Sequence, residues 1–120
     1  MKILLIEPNK APITTDIDSS LESMQNIVGG FIQAIYPFED NVAVICNDEG
    51  KLLGMPLNRA LREPETNEIY DIICGTFFIC GLGEENFASL SDNMIEKYAN
   101  VFRLPETFAL IDGKIICMKG

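Results

Sequence analysis

The stretch "IYDIICGTFFICG", residues 69–81, is the most strongly apolar in the chain, and how it is laid down decides the fold. Its β-branched and aromatic residues predict a central strand, with Gly75 allowing a bulge or a close backbone approach. Cys74 and Cys80 lie six apart within it. In one straight strand they face the same side but stand about 20 Å apart, too far for a disulfide.

Working outward, "PETNE" before this segment reads as a surface loop, and "MPLNRALRE" before that as one helical turn begun at Pro56. Further upstream, "FIQAIYPF" and "NVAVIC" are β-rich runs joined through residues 37–41, with "NDEG" a second turn before "KLLG", an antiparallel meander. "KILLIE" predicts a strand buried on both faces and ended by Pro8. In "SSLESMQNIVGG", Ser19 and Glu22 have capping-box spacing. Leu21, Met24, Ile27 and Val28 share a helical face, and Gly29 with Gly30 closes the helix.

Downstream, Met94, Ile95, Tyr98, Val101 and Phe102 recur at helical spacing behind Ser89 or Ser91 as cap, and Pro105 ends that helix. "TFALIDGKIICM" carries a hairpin signal in Asp112 and Gly113. The expectation is one α+β domain over residues 1–120, a mainly antiparallel sheet with two helices on one face and a short helical turn.

The 120 residues suffice for a real core, and 48% apolar against 22% charged residues is a globular composition. Eighteen acidic against nine basic residues leave a net charge of −9, which disfavours direct nucleic-acid binding. Such a surface serves solubility, attraction to a basic partner, or imitation of a nucleic-acid backbone. Each of the four cysteines (46, 74, 80 and 117) sits in an apolar run without a CxxC pair, as core thiols do in a reducing compartment. The apolar part of "MKILLIEP" is too short for a secretion signal or a membrane span, so a cytoplasmic protein is expected.

The chain has no histidine, which removes histidine-activated nucleophiles, histidine zinc sites and the usual base near neutral pH. The strand-embedded cysteines lack the paired short spacings of a four-cysteine zinc site, so no metal is expected. The acidic pairs at 39 and 40, 48 and 49, and 84 and 85 read as solvated turn residues. "GLGEEN" and "DEGKLLG" lack the remaining residues of phosphate-binding fingerprints, so no cofactor is expected. An enzyme would need a carboxylate or lysine base of shifted pKa, and catalysis ranks below binding.

"GKLLGMPLNRAL", residues 50–61, stands out because its Lys51 and Arg59, with Arg62 one step on, make up a third of all the cations. The plain reading is a turn glycine, a helix-starting proline and surface ion pairs. The functional reading joins Lys51, Asn58, Arg59 and Arg62, with Tyr36 as a stacking face, into a site for a small anionic ligand such as a nucleotide, or for a protein partner.

Through "LLIEPNKAP", "IVGGFIQAIYPFED", "CNDEGKLLGMPLNRAL", "DIICGTFFICGL" and "ENFASLSDNMIEKY" the chain resembles an uncharacterised family of small proteins of bacterial mobile elements and phages, domain of unknown function 3846. The resemblance implies that genomic setting and an intracellular product, without any activity or catalytic residue. Two classes then compete: a non-enzymatic accessory protein that binds a protein partner, in the manner of an acidic DNA mimic, and a binder that sequesters a small anion. A homodimer through an exposed part of "YDIICGTFFICG" is the expected oligomer.

Overall fold

The computed structural model describes residues 1–119. In chain order the elements are β1 (Lys2–Ile6), β2 (Ile13–Asp16), α1 (Leu21–Val28), β3 (Ile32–Ile35), β4 (Val42–Asn47), β5 (Leu57–Arg62), β6 (Ile69–Cys74), β7 (Phe77–Leu82), β8 (Phe87–Ala88), α2 (Asp92–Val101), β9 (Glu106–Ile111) and β10 (Lys114–Lys119). The fold is α+β, with antiparallel pairing in all three sheets.

The decisive stretch is two strands, not one. Gly75 takes φ +80°, a left-handed corner where the chain leaves β6 and enters β7 in a different sheet. β7 is the central strand of the main sheet, ordered β2-β1-β7-β4-β3, with β8 added to β7. β6 instead pairs with β5 in a separate two-stranded sheet.

The segment starting at Pro56 is strand β5 rather than a helical turn. Its Leu, Arg and Ala favour a helix locally, but a partner strand and a buried face decide otherwise. "KLLG" is a turn and not a strand, so the meander ends with β4. The first helix is capped by Ser20, one residue beyond the expected capping box; its hydroxyl accepts from the Ser23 N–H at 3.1 Å. Ser91 caps the second, accepting from the Met94 N–H at 3.3 Å.

The helices lie on opposite faces of the main sheet, because β1 from Ile3, β4 up to Cys46 and β7 are unbroken apolar runs that alternate their side chains between two cores. Leu4, Ile6, Val42, Val44, Phe77 and Ile79 pack with Tyr98 of α2, with Phe102 at its C-terminal cap, and with Leu61 and Ile73 of the β5–β6 hairpin. Ile3, Ala43, Ile45, Phe78 and Cys80 pack with Met24 and Val28 of α1.

All four cysteines are free. Cys46, Cys74 and Cys80 are buried as expected, but Cys117 lies on the peripheral β9–β10 hairpin, half-buried and outside both cores. That hairpin turns through Asp112 at φ 51° and Gly113 at φ 77°, the paired positive dihedrals of a two-residue type I′ loop.

Candidate interaction site

β5 carries a bulge at Asn58, where Leu57 pairs with Cys74 and the next paired residue is Arg59 with Ile73. The extra residue breaks the alternation of faces, so Asn58 and Arg59 both point inward and both are fully buried. Asn58 Nδ2 donates to the carbonyls of Ile6 and Gly75, at 2.9 and 2.8 Å, which ties β5 to β1 and to the Gly75 corner. Arg59 Nη1 donates to Asn58 Oδ1 at 2.8 Å. Its Nη2 donates to the Lys10 carbonyl at 2.6 Å, and Nε and Nη2 both reach the Phe102 carbonyl. Burial lowers the guanidinium pKa, partly opposed by the charge of Glu106. The two residues expected to grip a ligand instead hold four segments of the chain together.

Arg62 is spent as well. Its Nη1 pairs with Glu106 Oε1 at 3.0 Å, and Nη2 lies 3.2 Å from Cys117 Sγ. Glu106 Oε2 accepts from the Ala60 N–H at 2.9 Å and from the Cys117 thiol at 3.2 Å. Lys51 donates to Asp71 Oδ1, which raises the lysine pKa. This pair sits at the mouth of a groove of about 180 Å³ between β4 and β6, with Cys46, Gly50 and Cys74 among its walls. Tyr36 is exposed but lines a different groove, beside Leu82 and the loop at 83–87. The five expected residues therefore do not converge.

What the segment does present is apolar. Leu52 is 87% exposed, Leu53 59% and, on the adjoining chain, Phe31 74%. Leu53 N–H donates to the Glu49 carbonyl at 2.9 Å and Met55 N–H to the Gly50 carbonyl at 3.0 Å, so both leucines stand on a closed, hydrogen-bonded turn. The backbone of Phe31 is tied to the start of this turn, its carbonyl accepting from the Asp48 N–H at 2.9 Å. Buried Asn47 fixes the base: Nδ2 donates to the Val28 carbonyl at the end of α1, and Oδ1 accepts from the Glu49 N–H at 2.7 Å. Exposed Asp48 and Glu49 flank the leucines. The result is an apolar knuckle on a hydrogen-bonded base, with Asp48 and Glu49 beside it and Lys51, paired with Asp71, next to Leu52. Its sequence signal was two adjacent leucines inside a turn whose neighbours are acidic and glycine.

The model of a protein family described as "Domain of unknown function (DUF3846)" matches residues 1–103. The chain belongs to this family. No curated protein and no solved structure matches it. The matched region holds the knuckle, the buried Asn58 and Arg59, and both helices, whereas the β9–β10 hairpin lies outside it. No helix among the described residues is long and apolar enough to cross a membrane.

Proposed function

We propose that this protein acts by binding another protein, as a non-enzymatic accessory protein of a bacterial mobile element or phage. The observation that carries the reading is the knuckle: Leu52 and Leu53 exposed on a turn already closed by hydrogen bonds, with exposed Phe31 on the segment whose backbone is bonded to the start of that turn. Apolar side chains held in a fixed geometry lose little conformational freedom on docking, which is how interface anchors gain affinity. Asp48 and Glu49 beside them, on a chain of net charge −9, select a partner with an apolar pocket and a basic rim. Imitation of a phosphate backbone is a narrower form of this reading, which requires the carboxylates to form a continuous stripe at the spacing of duplex phosphates. The competing small-anion reading keeps Lys51 as the exposed cation among the expected residues, with its charge already met by Asp71. The adjacent groove, about 180 Å³, is below the roughly 300 Å³ at which ligand pockets begin.

The test is a comparison of captured proteins, identified by mass spectrometry, between wild type and the Leu52→Asp, Leu53→Asp double variant. Both side chains are exposed, so the variant should fold with its unfolding midpoint little changed. It should lose a basic partner that the wild type retains. Equal capture by both proteins, or a rise of several degrees in melting temperature with a nucleotide, would overturn the reading.

A further inference from the structure

The β9–β10 hairpin carries five large apolar side chains in the open: Leu110 (73% exposed), Ile111, Ile115, Ile116 and Met118 (52%). The register puts Leu110 and Ile115 on one face of the hairpin and Ile111, Ile116 and Met118 on the other, so both faces carry exposed apolar side chains. β9 is tied to β5 at its start, where the Glu106 side chain accepts from the Ala60 N–H, although no described strand pairs with its outer edge. The outer edge of β10 pairs with no strand among the described residues.

Two observations indicate what covers that edge. The first is charge. Residues 106–119 hold Glu106 and Asp112 against Lys114 and Lys119, so the hairpin is neutral and the whole −9 lies on the rest of the chain. Two copies of a strongly acidic protein repel each other least where the local charge is zero.

The second is register. In a two-residue type I′ hairpin the residues flanking the turn, Ile111 and Lys114, form a hydrogen-bonded pair. The backbone groups of 114, 116 and 118 therefore face β9, and those of Ile115 and Cys117 face outward. Thr107 Oγ1 donating to the Met118 carbonyl at 3.3 Å agrees with that orientation. In an antiparallel pairing of β10 with its own copy, outward residues must face outward residues, so the two-fold axis falls on a residue and not between two. Lys114 can then never stand opposite Lys119. Centred on Ile116, the pairing sets Ile116 against Ile116 of the second copy, Ile115 against Cys117, and Lys114 against Met118.

We propose that a second copy of this chain docks on β10, forming a two-fold, four-stranded sheet β9-β10-β10-β9 centred on Ile116. The proposal is independent of the partner read from the knuckle, and it places the dimer contact on β10 instead of the "YDIICGTFFICG" stretch, whose β7 half is interior.

Light scattering on the full chain should show dimer that dissociates on dilution through the micromolar range. Ile116→Asp sets two carboxylates opposite each other and should weaken self-association on the order of tenfold or more, with the circular dichroism spectrum unchanged. In a Cys117→Ser background, Ile116→Cys should form a covalent dimer on mild oxidation, because facing residues of a non-hydrogen-bonded pair have Cα atoms about 4.5 Å apart, within disulfide reach. Leu110→Cys in the same background, on the strand remote from the axis, should not. A monomer at every concentration, a dimer indifferent to Ile116→Asp, or cross-linking at 110 in place of 116 would overturn the proposal.

Discussion

Arg59 shows how far a residue's type underdetermines its role. Read along the chain it is one of three cations in a short segment; in the folded protein it has no exposed surface and spends its donors on Lys10, Asn58 and Phe102. Its nearest charged partner in the fold, Glu106, forms its ion pair with Arg62. Glu106 is itself 5% exposed. Burial alone would raise its pKa, but the bonds from the Ala60 N–H, Arg62 and Cys117 outweigh that and hold it below the ordinary 4.5. A carboxylate with a depressed folded-state pKa contributes fully above its unfolded value, and the contribution disappears as pH falls through the folded one. Glu106→Gln should therefore cost about 1–3 kcal/mol at neutral pH. It should also flatten the fall in urea midpoint below pH 4.5. Parallel profiles for the two proteins would remove Glu106 as a source of the acid sensitivity. Asp40 keeps some of that sensitivity in either protein, since Lys97 first and then Tyr98 lower its pKa.

Among the elements, α2 and the β9–β10 hairpin were legible because their signals are local: a capping serine with helical spacing, and a turn dipeptide between apolar runs. β5 was not, because Leu57–Arg62 is helix-favouring in isolation and becomes a strand only against β6. The junction of β6 and β7 is the most informative failure. Gly75 was recognised as a place where the backbone does something unusual, but a bulge and a corner look alike in one dimension. The corner is held from both sides: Gly75 N–H donates to the Pro56 carbonyl at 2.7 Å, and its own carbonyl accepts from Asn58 Nδ2. A Cβ there would lie 2.8 Å from Met55 Sδ, in a chain already at φ +80°. The methionine can move, whereas the dihedral cannot relax without displacing β6 from β7. Gly75→Ala should thus destabilise by about 1–3 kcal/mol, seen as a lower urea midpoint with an unchanged slope. No loss of stability would show that the corner tolerates an ordinary residue.

For the whole molecule, the two cores on either side of one sheet fix how the thiols behave. Burial pushes the Cys80 thiol up to about 12 and Cys46 up to about 11, the latter with further contributions from Asp71 and Asp48. Burial also raises Cys117, followed by its bond to Glu106. None is a ready thiolate at neutral pH. With an aromatic disulfide reagent, Cys117 should react first and slowly, and Cys80, with no exposed surface, only through global opening. For a domain of ordinary stability that makes Cys80 about a thousandfold or more slower than in urea. Rapid labelling of all four thiols under native conditions would contradict the closed double core.

The sequence by itself determined the α+β class, the two helices, the last hairpin and the inward burial of Cys46, Cys74 and Cys80, because composition, periodicity and turn chemistry act over a few neighbouring residues. Only the tertiary structure decided that the 69–81 stretch divides between two sheets and that the helices lie on opposite faces. It also decided that Asn58 and Arg59 face inward while Leu52 and Leu53 face out. The physical reason is the bulge at Asn58 and the corner at Gly75, whose direction is set by carbonyls of β1, residue 10 and residue 102, partners far away along the chain.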